Sequence, residues 1–264
     1  MYAGATQQSL KVLDQVHYNA AILISGCIHG SNANKVLSIL NWQSLGTRRL
    51  ERQKIYMFKV SKGLTPNYVL NIFEKFKTPR IRTVRVRRIF QVPIYSSSKF
   101  LSSPAINLMK VWNNLDPIIR SLPSLSQLKS KVCHKFCRDL VVSTTMIKNL
   151  NRKEELCLNR LRVDLYLKSQ LYSHNFANIN PNCTYCNTGL TTKHFLLSCR
   201  HPNRTPIFEI LLNSLDNIQA LAYFNTLSMS NKCKFLLIGD KTYSIQTNIK
   251  ISCITARYIT SVNS

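Results

Sequence analysis

Cys183, Cys186, His194 and Cys199 follow one another in the spacing C-x2-C-x7-H-x4-C, four soft or borderline donors confined to residues 183–199. Asn182, Asn187, Thr188 and Gly189 lie among them and supply turn chemistry. A CxxC pair on a tight turn presents two sulfurs to one ion, and a helical His-x4-Cys returns two more donors from one face. Four protein donors fill a tetrahedron, so the spacing predicts a structural zinc site. Few large apolar residues stand between Asn175 and Gly189, so this stretch is expected to fold around its ligands rather than around a core of its own. The competing reading, scattered buried cysteines beside a surface histidine, does not require four donors in order at short spacings.

Charge narrows the partners. Lys and Arg number 36 against 11 Asp and Glu, a formal +25, with a sequence pI near 10.0. Such a surplus points to a polyanion, RNA and/or DNA first and an anionic membrane surface second. The apolar run Ala20 to Cys27 is far shorter than the ~20 residues a membrane span needs. The residues from Met1 to Thr6 show no basic region followed by an apolar stretch, so no signal peptide is expected. Nine cysteines, an odd number with three in the metal-type cluster, fit a reducing compartment, hence an intracellular location in nucleus and/or cytoplasm. The glycines are isolated and form no phosphate loop. No Ser-His-Asp or Cys-His-Asp signature is present, and no small-molecule substrate is expected. Cys133 and Cys137, with His134 between them, read as helix packing rather than chemistry.

Periodicity predicts a mainly α chain. Leu10, Leu13, Val16, His17, Ala20, Ala21 and Ile24 mark one face of a helix over 9–25 that Gly26 ends. Further helices are expected over 33–40, 47–62 and 66–76, closing a helical region 1–76. Residues 77–98 change character: strand formers alternate with Lys77, Arg80, Arg82, Arg85, Arg87 and Arg88, and Pro79 and Pro93 exclude a helix. They read as a short extended or edge-hairpin arm whose arginines would neutralise phosphates while Phe90 and Tyr95 stack on bases. The bland reading is an edge strand protected by charge. Helices resume over 105–112 and 124–140 within a region 99–145, and 141–150 reads as the boundary. A small helical domain follows over 146–264, with a helix over 151–172, the zinc module at 183–199, and helices near 206–214, 232–238 and 243–262.

Several phrases carry a family resemblance. Ala20-Ala21-Ile22-Leu23-Ile24-Ser25-Gly26, Leu40-Asn41-Trp42-Gln43-Ser44-Leu45 with Arg48-Arg49, and Lys62-Gly63-Leu64-Thr65-Pro66-Asn67-Tyr68-Val69 come in order. Val111-Trp112-Asn113-Asn114-Leu115, Ile118-Ile119-Arg120 and Ser124-Leu125-Ser126-Gln127-Leu128-Lys129 follow. Arg160-Leu161-Arg162, the stretch Thr192 to Cys199 and Arg204 complete the set. Together they resemble the C-terminal third of reverse transcriptases from non-LTR (LINE-type, jockey-like) retrotransposons, over nearly the whole chain. Asp116 and Leu128 depart from the family, which usually has Pro and Phe there.

The resemblance implies that 1–76 and 99–145 form a helical thumb-like domain and that 146–264 is the distal Cys-Cys-His-Cys region. It also implies that a palm would lie upstream of Met1. Magnesium belongs only to that palm, whose paired aspartates perform in-line phosphoryl transfer. No Asp-Asp dipeptide occurs here, and Glu154-Glu155 read as the first turn of a helix. The expectation is therefore a C-terminal piece of an RNA-directed DNA polymerase that binds RNA or DNA and is not itself an enzyme. A free-standing host zinc-dependent RNA-binding module and a non-functional transposon relic remain alternatives.

Overall fold

A computed structural model describes residues 4–77, 90–92, 100, 103–133, 141–143, 146–175, 179–202 and 204–262. The architecture is mainly α, with two isolated antiparallel bridges and no strand among the described residues. Contacts divide the chain into two compact units, 1–16 with 43–137 and 17–42 with 138–264. They cut across the sequential domains expected from the sequence, since residues 17–42 join the distal segment.

The first unit is built on α3 (Leu45–Ser61), α4 (Asn67–Glu74), α5 (Pro104–Asn113), α6 (Pro117–Arg120) and α7 (Leu125–Val132). Most of these helices start on a side-chain oxygen that accepts a backbone N–H: Ser44 from Thr47, Ser103 from Ile106, Asp116 from Ile118 and Ser124 from Gln127. Asp116 thus works as a cap. Packing of α3 against α5 and α7 buries Met57, Phe58, Met109, Trp112 and Leu128 in one apolar core. Helix α7 ends at Val132, where Cys133 turns extended, well short of the Leu140 expected from the sequence. Cys137 and His134 lie outside the described residues.

The second unit takes the end of α1 (Gln7–Ser25), α2 (Ala33–Ile39), α8 (Arg152–Arg162), α9 (Lys168–Ser173), α10 (Ile207–Ser214), α11 (Ile218–Thr226), α12 (Met229–Ile238) and α13 (Ile245–Val262). The carbonyls that close α1 are claimed by α8: Arg152 donates to Ile24, Asn159 to Ser25 and Arg160 to Gly26. Gly26 sits at φ 67°, and a Cβ there would fall 1.7 Å from Leu156 Cδ2. This anchoring turns Tyr18, Ala21, Ile22 and Ser25 inward, one residue round from the expected stripe, and leaves Val16 and Ile24 exposed.

One long helix expected over 151–172 is two. Asp164 N–H bonds to the Leu161 carbonyl and Leu165 N–H to that of Arg160, with Asp164 at φ 61°, a Schellman stop in which Asp takes the position glycine usually holds. Arg162 is turned inward and donates to the Leu237 carbonyl at 2.7 Å. Burial draws its guanidinium down to about 9. Residues 141–150 are no open linker either, since Val142 and Ile147 belong to the core around Leu158, Phe195, Leu236 and Ile251. Helix α11 has no counterpart in the sequence reading. Within this unit α13 packs against α8, α10 and α12, and α12 also touches the residues that carry His194.

Candidate metal centre

Residues 181–190 form a small knuckle. Asn182 and Gly189 pair as an antiparallel bridge, and Leu190 N–H reaches the Pro181 carbonyl. Inside it, Cys183 N–H donates to the Thr188 carbonyl at 2.8 Å and Asn187 N–H to the Cys183 carbonyl at 3.0 Å. Asn187 turns the corner at φ 49°, a left-handed conformation that Asn tolerates. The knuckle folds the CxxC sulfurs to one side.

The second pair of donors comes from a π-helical turn, His194–Ser198, after which Cys199 is extended. Residues five apart on an α-helix are rotated by about 140°, five steps of about 100°, so His194 and Cys199 would diverge on a regular α turn. The wider i→i+5 turn reduces that rotation and returns both to one face. Thr191 starts the turn by accepting the His194 N–H at 3.2 Å. Helix α9 braces it, with Gln170 donating to Thr192 Oγ1 at 2.9 Å and Ser169 to the Leu190 carbonyl.

The result gathers one donor atom from each of Cys183, Cys186, His194 and Cys199 within 4.8 Å of one another. Cys183 Sγ and Cys199 Sγ are 3.8 Å apart. Two sulfurs held at about 2.3 Å by one tetrahedral ion must lie about 3.8 Å apart, so the spacing is that of metal ligands rather than of a disulfide. His194 Nδ1 lies 3.3 Å from Thr188 Oγ1, while Nε2 is buried without a hydrogen-bond partner. A neutral imidazole that donates from one ring nitrogen keeps the lone pair of the other for a cation. The four residues can hold a metal ion, and with all four positions of a tetrahedron filled by protein none is open to water.

Electrostatics agrees with a thiolate site. Burial pushes the Cys183 thiol up, yet the N–H groups of Cys186 and Tyr185, with His194 and Cys199, outweigh it and draw it down to about 6 from 9.0. Burial pushes Cys199 up, and the neighbouring Cys183 raises it further against the opposing pull of the His201 N–H. The Arg200 N–H also points at Cys186 Sγ at 3.5 Å.

His201 does not join the ligands; its ring meets Tyr185 edge-on with centroids 3.8 Å apart. The remaining candidates fare differently. Arg80, Arg82, Arg85, Arg87, Arg88 and Tyr95 lie outside the described residues. The foot of their segment is visible, where Lys77 and Phe90 pair antiparallel and Asn113 both donates to and accepts from the Phe90 backbone. Phe90 is only 1 % exposed, set against Phe73, so it is a core residue and not a stacking platform for bases. The spacing of the ligands did not reveal Thr188, Thr191 and Gln170, which orient the site. A Thr three residues before the histidine was the available signal, since it is where a helical turn is capped.

Among the described residues no helix is long and apolar enough to cross a membrane. Comparison with protein-family models, curated proteins and solved structures yields no match to this chain.

Proposed function

We propose that this chain is a nucleic-acid-binding module whose distal part is organised by one structural zinc ion. It corresponds on this reading to the region that follows the catalytic palm in LINE-type reverse transcriptases, and it grips RNA or target DNA without polymerising. The ordered phrases from Ala20 to Arg204 support the family part of the reading, and the closed four-donor site supports a structural rather than a hydrolytic metal.

The observation that carries the binding part is the disposition of charge. Lys168, Lys193, Arg200 and Arg204 lie beside or within the metal-site turns, and none forms an ion pair with a described carboxylate. The acids instead serve local roles: Asp14 holds Arg49, Glu154 and Asn151 form a capping box, Asp164 holds Lys35, and Asp216 holds Lys250. A cationic surface without carboxylate partners is one that phosphates can neutralise.

The test is binding of a single-stranded RNA across a salt series, beside a primer-extension assay with magnesium or manganese. If the arm contacts about five phosphates, the log-log slope is about −3.5, and replacing Arg82, Arg85, Arg87 and Arg88 together flattens it. A salt-independent or undetectable interaction would contradict the reading, and template-dependent incorporation would contradict its non-catalytic part.

A further inference from the structure

The CxxC knuckle, the π turn, α9, α10 and α13 line a half-open cavity of about 470 Å³ within the second unit. Its size falls in the range of about 300–1,000 Å³ typical of sites that take small organic groups. The wall includes Lys168, Tyr185, His201, Arg204, Phe195 and Tyr258, and among the described residues no carboxylate lines it.

We propose that this cavity receives one unpaired base of a single-stranded nucleic acid, with the adjoining phosphate met by Lys168 and Arg204. The inference rests on the nucleic-acid reading above and assigns it a specific subsite.

Three observations carry it. Tyr185 is 61 % exposed although its ring is held edge-on by His201, so a fixed aromatic surface is offered at the mouth of the cavity. A base brings a flat apolar face that such a ring can cover. Arg204 is fixed before any ligand arrives. Its guanidinium lies 4.6 Å from the Phe195 ring centroid and 5.8 Å from that of Tyr258, while Nη1 donates to the Phe195 carbonyl at 2.9 Å. Nε is buried without a hydrogen-bond partner, and the guanidinium has no ion pair with a described carboxylate, so a rigid cation on the cavity wall keeps its charge for an anion. Lys168, at the start of α9, is exposed and without an ion pair to a described carboxylate, a second charge on the same wall. Leu190, Phe195 and Ile210 supply apolar wall beside polar Asn182, Thr184 and Thr205, with the ligands Cys183 and Cys199 at its edge, a mixed lining that suits a base better than a bare inorganic anion.

The experiment uses the full metal-loaded chain and two polymers of equal length, a mixed-sequence single strand and its fully abasic counterpart. Zinc is measured in every sample. The base-bearing strand is expected to bind roughly 5- to 150-fold tighter, the range for one stacked base. Tyr185→Ala is expected to erase that ratio and Tyr185→Phe to keep it. Lys168→Ala, on an exposed position, is expected to flatten the salt slope by about 0.7 without changing the ratio. Equal binding of the two polymers with an ordinary salt dependence would overturn the pocket and leave nucleic-acid binding standing. Failure to bind either polymer would overturn both. A free nucleoside monophosphate that binds as tightly as the strand would replace the strand by a small-molecule ligand.

Discussion

Around Trp112, helices α3, α5 and α7 close on Met57, Phe58, Met109 and Leu128, side chains with almost no exposure. Between residues 181 and 199 only Cys183, Phe195 and Leu196 are buried, and the backbone is a knuckle followed by one π turn. The first region is stabilised by apolar area removed from water, at roughly 25 cal/mol per Å², and needs only helices with the right faces. The second has too little such area and takes its shape from four donor atoms that must meet. The two regions therefore answer to different perturbations.

Metal removal separates them most. Structural zinc in small modules binds with about 10–16 kcal/mol of apparent free energy, and that energy is folding energy. Chelation is expected to abolish amide protection across 181–199 while protection in α3, α5 and α7 is unchanged, as hydrogen exchange on the full chain would report. Loss of protection in both regions would show that the contrast is false. Acid is expected to act on the same side. The Cys183 thiol is depressed from 9.0 to about 6, so the advantage of its folded thiolate is present above about 9 and gone below about 6. Zinc content should accordingly fall as the metal-loaded chain is acidified while helical content in α3, α5 and α7 persists, and zinc retained unchanged in strong acid would contradict a thiolate site.

Trp112→Ala probes the other region. Removing a fully buried indole is expected to cost about 3–5 kcal/mol in denaturant unfolding and to leave the zinc content untouched. The smallest effect belongs to Asn151→Ala, which deletes the capping box of α8 and is expected to cost about 1 kcal/mol, again without loss of metal. Zinc lost in Trp112→Ala would tie the two regions together.

These contrasts also explain what could be read from the sequence. The ligand set was legible because a metal demands particular atoms at short spacing, and Cys183, Cys186, His194 and Cys199 meet as expected. Helix starts were legible at Asn151, Ser124 and Pro206, whose side chains or rings fit first turns. The stop at Asp164 was not, because the left-handed position carries Asp rather than Gly and the apolar spacing of Leu158, Leu161 and Leu165 runs on through it. The inward face of α1 differs by one residue from the apolar stripe, since carbonyl contacts from Arg152, Asn159 and Arg160, distant in sequence, decide the rotation. Phe90 reads as part of a basic arm, and only the contact with Phe73 shows it to be core. The π turn was invisible, because no residue pattern distinguishes it from an α turn.

Elemental analysis of the purified wild-type chain beside Cys186→Ser and His194→Ala tests the central claim most directly. One zinc per chain is expected in the wild type, with loss of bound zinc in both variants and intact helical content in 45–132. Equal zinc in all three samples, or none in the wild type, would contradict the metal-organised account and return these residues to ordinary buried cysteines beside a histidine.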